Sequence, residues 1–280
     1  MTERRKMEEA ALERRGYRPV QMIGRGAFSE VYRVERQGMG ETYACKISRH
    51  REMLRREKEL LEHICHPLFA EAVEGWLEED KGFLIMELIE GENLGEALRR
   101  GTVFSAKRTA EVGMELAEGL LYLHERRMPL LFRDVKPDNI VIRRDGRVKL
   151  LDFGCVCALE SADLSQAGTL RFAAPEQLKA GERQGLTCDV YGLGQTLLRM
   201  LGGGRKQGWR ESRDERRLRR FLEGCTREKP WERPADMRAV MRALIPICNT
   251  HRGGRQRGKG IWQEGAVCEK NIRKSAYENY

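Results

Sequence analysis

The stretch Leu131–Gly154 constrains the fold of this 280-residue chain more than any other. Ile140-Val141-Ile142 and Val148-Lys149-Leu150-Leu151 flank Asp145-Gly146, and Asp-Gly between apolar runs is a strong hairpin signal. With a two-residue turn, pairing partners sum to a constant and Asn139 falls opposite Asp152. An amide oxygen and a carboxylate then meet at the mouth of one hairpin, and such hard oxygens suit Mg²⁺ with phosphates completing its shell. Asp134, five residues before Asn139, projects from the same loop as an acceptor for a hydroxyl proton. Lys136 is placed to balance charge at a transferring phosphoryl group. Each residue alone has a bland reading, as a cap, a turn residue or a surface carboxylate. None of these explains why Asp134, Asn139 and Asp152 cluster around one hairpin.

A second pattern lies upstream. Ile23-Gly24-Arg25-Gly26-Ala27-Phe28-Ser29-Glu30-Val31-Tyr32 is a Gly-rich turn between strand-like pieces. Its glycines let backbone N–H groups approach phosphates, although Ser29 stands where a third glycine is often found. By itself this is an ordinary hairpin turn. The next strand, Thr42–Ile47, sets the single lysine Lys46 in an apolar run, where a buried ammonium needs an anion. A helix over Arg51–Cys65 puts Leu54, Glu57 and Leu61 on one face and turns Glu59 and Glu62 elsewhere. Glu57 is therefore the expected partner of Lys46, against the alternative of a solvated glutamate at the stripe's edge.

Strand-like, Gly-punctuated sequence runs from Tyr17 to Ile89, and helical periodicity dominates from Asn93 to Leu244. This predicts an α+β domain over 17–245, with a small sheet-rich lobe (17–89) and a larger helical lobe (90–245). Residues 1–16 read as a short charged helix with Thr2 as N-cap and Gly16 as stop. Its thin stripe of Met7, Ala10, Ala11 and Arg14 implies weak docking or fraying. Residues 246–280 read as a basic, flexible tail. The net charge of +9 favours anionic partners. No apolar run could span a bilayer and the N-terminus lacks a signal-peptide core. The eight cysteines contain no C-x-x-C pair, so reduced thiols in a cytoplasmic protein are expected. The arginines of 210–220 carry no interleaved aromatics and read as a solvated basic face, not a nucleic-acid interface. Nothing specifies an oligomeric state.

Taken in order, these motifs resemble the eukaryotic-like serine/threonine protein kinase family, with the flavour of its compact bacterial members. The resemblance runs from Tyr17 to Leu244. It covers Gly24–Val31, Lys46, Glu57, Phe132–Asn139, Asp152-Phe153-Gly154, Ala174-Pro175-Glu176, Asp189-Val190-Tyr191-Gly192 and Arg233. It implies a bilobal kinase fold, use of ATP with Mg²⁺ or Mn²⁺, a protein Ser/Thr substrate and autophosphorylation. Lys46 would hold the α/β-phosphates and pair with Glu57, Asp134 would be the catalytic base, and Asn139 and Asp152 the metal ligands. Around the nucleotide, the resemblance implies Gly24, Gly26 and Ser29 at the phosphates and Val31, Ala44 and Val141 against the purine. Met86 would stand at the back of the pocket, the Glu87 carbonyl and Ile89 amide at the adenine edge, and Asn93 near the ribose. Glu176 and Arg233 would form a buried ion pair, and Asp189 would anchor the catalytic loop.

Lys136 with Gly168-Thr169 resembles the serine/threonine subtype, with Thr169 bonding near Asp134 and Lys136. Arg133 resembles arginines that clamp a phosphorylated segment, with Ser161 or Ser165 as the sites and Thr169 in a structural role. Phe132 departs from the usual histidine but still offers a ring to pack. Ten residues separate Lys46 from Glu57, which implies a shortened approach to the helix, and the region after the Asp189 helix is compressed. Two rival readings remain. A pseudokinase scaffold would lack Lys46, Asp134, Asn139 or Asp152. A small-molecule phosphotransferase would lack Gly168-Thr169 and Ala174-Pro175-Glu176.

Overall fold

Period-two alternation in the first third of the chain builds a sheet with two working faces. In the computed structural model of the protein, residues 3–26, 29–78, 80–160, 168–179, 181–202 and 211–249 are described. Five antiparallel strands, β1 (Tyr17–Arg25), β2 (Ser29–Arg36), β3 (Thr42–Ser48), β4 (Ala72–Glu78) and β5 (Lys81–Glu87), line up in the order β1-β2-β3-β5-β4. Tyr32, Val34, Cys45, Ile47, Phe83 and Ile85 point to one face and pack with Ala11 and Leu12 of helix α1 (Glu3–Arg14). Leu84 points to the other face and joins Leu54 and Leu61 of helix α2 (Arg51–Glu62) in the main core.

The larger lobe begins with β6 (Glu92–Asn93), α3 (Leu94–Arg99) and the long α4 (Ala106–His124), followed by β7 (Leu130–Leu131), β8 (Ile140–Ile142), β9 (Val148–Leu150) and β10 (Cys157–Ala158). It continues through α5 (Pro175–Leu178), α6 (Thr187–Gly202), α7 (Arg213–Cys225) and α8 (Met237–Cys248). Leu116, Leu120, Leu197, Leu201, Leu218, Leu222, Val240 and Leu244 knit α4, α6, α7 and α8 into one core. This is the bilobal α+β arrangement expected from the motif order. Among the described residues no helix is long and apolar enough to cross a membrane.

Several local expectations need correction. The Asp145-Gly146 hairpin pairs Ile142 with Val148, and Arg143 N donates to Arg147 O at 2.8 Å. The turn therefore holds one residue more than the sequence implied, with Gly146 at φ +84, a left-handed conformation that glycine adopts without strain. The register shifts by one, so Asn139 O receives the amide of Leu151 (2.7 Å), not that of Asp152. Helix α2 stops at Glu62 instead of Cys65. In α1 the buried positions are Glu8, Ala11 and Leu12, whereas Met7 is 50% exposed. The helix is thus turned about one residue from the predicted stripe and docks firmly. Helix α8 runs through Pro246 to Cys248, so its last turn takes in residues that read as the start of the tail. Residues 250–280 lie outside the described residues.

Candidate active site

Asp189, near the start of α6, organises the loop that carries Asp134. Its Oδ1 accepts the amide of Arg133 (2.7 Å) and its Oδ2 accepts the amide of Phe132 (2.9 Å), with His124 Nε2 also on Oδ2 at 2.8 Å. Arg133 sits at φ +68, a strained setting for a residue with a Cβ, and these bonds together with Gln177 Nε2 on the Arg133 carbonyl (2.9 Å) over-determine it. The Phe132 ring is fully buried between Phe69 and Phe153, with centroids 6.5 and 5.5 Å away. An aromatic ring in place of histidine still packs, as expected.

The loop thereby presents Asp134 with both carboxylate oxygens engaged. Oδ1 accepts from the Thr169 amide and hydroxyl, each at 3.0 Å. Oδ2 accepts from Lys136 Nζ at 2.7 Å and Asn139 Nδ2 at 3.1 Å. Lys136 Nζ also donates to Thr169 Oγ1 at 2.7 Å. A carboxylate fixed in this way, with an ammonium beside it, can accept a proton from an approaching hydroxyl while local charge stays balanced.

The other half of the site comes from the sheet lobe. Lys46, 9% exposed, donates to Glu57 Oε2 (2.6 Å), Glu57 Oε1 (2.8 Å) and Asp152 Oδ1 (2.8 Å). Burial works against its ammonium, but the charges of Glu57 and Asp152 outweigh it and hold the lysine above its ordinary pKa. Burial likewise pushes the Asp152 carboxyl up, and Lys46 with the Gly154 amide overrides it, leaving Asp152 below the usual aspartate range. Burial raises Glu57 against the pull of Lys46; since both its oxygens receive the ammonium, the geometry satisfies the ionised form. Glu57 Oε1 also accepts the Phe153 amide at 3.2 Å, which ties α2 to the residue after Asp152. Asp152 itself lies at φ +70 and accepts its own Gly154 amide.

No described residue donates to Asn139 Oδ1 or Asp152 Oδ2. Two unclaimed hard oxygens on adjoining segments fit a divalent cation whose remaining ligands come from phosphates. Among the described residues no group of three His, Cys, Asp or Glu side chains could hold a metal alone.

Above this, Gly26 N donates to Ser29 O at 2.8 Å, closing the Gly-rich turn, and Gly24 pairs with Val31. Ala44 pairs with Met86 across β3 and β5. Ala44 and Val141 are buried, while Val31, Met86, Glu87 and Ile89 are half-buried. Asn93 caps α3, its Oδ1 accepting the Glu96 amide and its Nδ2 donating to Asp138 O. Glu176 and Arg233 form a buried pair at 2.6 and 2.8 Å. Ser161 and Ser165 fall outside the described residues. Arg133 Nη1 is buried with no partner among the described residues.

A family model for the protein kinase domain matches residues 17–253. The chain belongs to the protein kinase family. Relatives include protein kinase 2 of Dictyostelium discoideum, 30% identical over 192 residues that make up 65% of this chain. The cAMP-dependent protein kinase catalytic subunit of the same organism is 28% identical across 67% of this chain. Serine/threonine-protein kinase AtPK1/AtPK6 of Arabidopsis thaliana is 29% identical across 66%. The chain spans 40%, 30% and 41% of the lengths of these relatives, respectively.

Within this protein kinase domain, three contributors escaped the sequence reading. His124 bonds Asp189, Gln177 bonds the Arg133 carbonyl, and Lys149 bridges Phe69 O (3.0 Å) to Glu87 Oε2 (2.7 Å). The last of these had a signal: a lysine within an apolar strand, as at Lys46, must find an anion.

Proposed function

We propose that the chain is a serine/threonine protein kinase that transfers the γ-phosphoryl group of ATP, with Mg²⁺ or Mn²⁺, to a protein hydroxyl, and that it autophosphorylates. The observation that carries this reading is the joint setting of Asp134. Its carboxylate is held by Thr169, Lys136 and Asn139; the Asn139 carbonyl accepts the Leu151 amide beside Asp152, and Asp152 pairs with Lys46, the partner of Glu57.

In the reaction the substrate hydroxyl oxygen attacks the γ-phosphorus in line, and the bond to the ADP leaving oxygen breaks. Asp134 takes the hydroxyl proton and Lys136 offsets the negative charge around it. Lys46 grips the α/β-phosphates beneath the Gly-rich turn of Gly24, Gly26 and Ser29. Ala44, Val31 and Val141 enclose the purine, Met86 backs it, the Glu87 carbonyl and Ile89 amide meet its edge, and Asn93 lies toward the ribose. Asn139 and Asp152 would hold the cation, which supplies charge neutralisation at the phosphates when bound. Positioning and electrostatics dominate.

Arg133 with Ser161 or Ser165 is a candidate phosphate clamp, to be read by mass spectrometry after incubation with ATP. An unmodified segment in fully active enzyme removes it. A cytoplasmic setting follows the sequence pattern of eight cysteines without a C-x-x-C pair.

The test is a γ-labelled ATP assay on purified protein with a generic basic protein and an unbiased peptide library. Label on serine or threonine is the expected result. Nucleotide binding without transfer would turn the reading into a scaffold, and label on small molecules alone would make it a small-molecule phosphotransferase.

A further inference from the structure

Helix α1 lies before residue 17, where the match to the protein kinase domain starts, yet it reaches the catalytic pair through the sheet. Glu8, 5% exposed, and Lys81, 8% exposed, form an ion pair at 2.7 Å. Three further ties bind the same end of the chain to the β4–β5 hairpin. Arg14 pairs with Glu78, Arg15 lies 5.3 Å over the Trp76 ring, and Tyr17 Oη donates to Glu74 at 2.6 Å. Successive strand residues point to opposite faces, so Glu74, Trp76, Glu78, Lys81 and Phe83 meet α1 while Gly75, Leu77, Gly82 and Leu84 look toward α2.

On that second face the hairpin packs closely on α2. A Cβ built on Gly82 would fall 2.9 Å from Leu54 Cδ2, and one on Gly75 would fall 2.7 Å from Lys58 Cδ and 2.9 Å from the Phe83 carbonyl oxygen. Leu54 and Lys58 flank Glu57 in α2, Leu54 on the same buried face. Lys46, the partner of Glu57, is paired with Leu84 in the neighbouring strand. A shift of the hairpin would therefore pass to α2 and move Glu57 against Lys46, because close-packed contacts transmit displacement.

We infer that α1 is a brace for phosphoryl transfer. Glu8 and Lys81 are positioning residues that hold the β4–β5 hairpin where it seats Glu57 on Lys46. Neither touches the reacting atoms. The burial of the Glu8–Lys81 pair explains its leverage, since a buried charge without its partner forces local rearrangement. The inference rests on the role given above to Lys46 and Glu57.

The test is a double-mutant cycle on the full chain, measuring kcat for peptide phosphorylation in wild type, Glu8→Gln, Glu57→Gln and the double variant. Assays are run at a temperature where thermal melts show every variant folded. Glu8→Gln is expected to lower kcat about tenfold in the wild-type background and scarcely at all once Glu57 is already Gln, because coupled residues are non-additive. The same factor in both backgrounds would mark a purely structural helix and overturn the brace. So would an unchanged kcat in folded Glu8→Gln alongside an impaired Glu57→Gln. If Glu57→Gln itself keeps full kcat, the assigned role of Glu57 fails first and takes the brace with it. Should Glu8→Gln not fold, Glu8→Asp, which keeps the charge but shortens its reach, runs through the same cycle with the same criteria.

Discussion

Arg233 Nη1 donates to Glu176 Oε1 at 2.6 Å and Nη2 to Oε2 at 2.8 Å, with the two side chains 0% and 4% exposed. The fork matches the carboxylate atom for atom, the strongest arrangement available to these groups. The remaining Arg233 donors reach the carbonyls of Arg227, Thr187 and Glu228, and Cys188 Sγ adds a bond to Glu176 at 3.2 Å. The pair joins α5 to the segment ahead of α8.

Arg233→Met leaves the Glu176 carboxylate buried and unpaired, so it is expected to lower the unfolding free energy by about 3–5 kcal/mol at neutral pH. Denaturant melts measure this. Burial pushes the Glu176 carboxyl up, but the Arg233 bonds override it and hold the group below the usual glutamate range. A depressed folded-state pKa contributes stability that is fully present above the unfolded value and is lost as pH falls through the folded one. The gap between wild type and variant should therefore narrow below about pH 4.3, the ordinary glutamate value. A gap that widens in acid contradicts the pairing.

Thr169→Val removes the hydroxyl that links Lys136 to Asp134. Hydrogen bonds to charged groups contribute about 1.5–3 kcal/mol, so kcat should fall by roughly 10- to 100-fold. The KM for ATP should stay near wild type, because the Thr169 hydroxyl bonds Asp134 and Lys136 and none of the residues proposed to hold ATP. Steady-state kinetics decides; a loss confined to the KM for ATP would misplace the residue.

Much of the site was legible because its chemistry is local in sequence. Asp134, Lys136 and Asn139 share one loop, and an isolated lysine in a strand advertises the need for an acid, which the helical spacing of Leu54, Glu57 and Leu61 supplied. The hairpin register was not legible. Asp-Gly serves both two-residue turns and longer ones with glycine in the left-handed position, and one extra residue moves every partner by one. The face of α1 was misjudged for a different reason: Glu8 counts as a solvent residue until Lys81, far along the chain, makes it a core one. His124 had no signal at all, since its partner Asp189 is brought to it only by the packing of α4 on α6.

Thiol reactivity tests the core independently. Cys45, Cys188 and Cys225 are buried. Desolvation raises the thiols of Cys45 and Cys188 well above the usual range and pushes Cys225 up to about 12. The thiolate is the reactive form, so iodoacetamide on native protein, followed by peptide mapping, should label the exposed Cys65 first among the described cysteines and these three only after unfolding. Labelling of Cys45 as fast as Cys65 would contradict the packing between α1 and the sheet.

The most direct test of the catalytic assignment is the transfer rate of Asp134→Asn set beside its affinity for ATP. Replacing the proposed proton acceptor with an amide of the same shape should abolish detectable turnover, a loss of at least about a hundredfold for removal of a general base. The dissociation constant for ATP should remain close to that of wild type. Turnover at the wild-type rate would show that the base has been wrongly assigned.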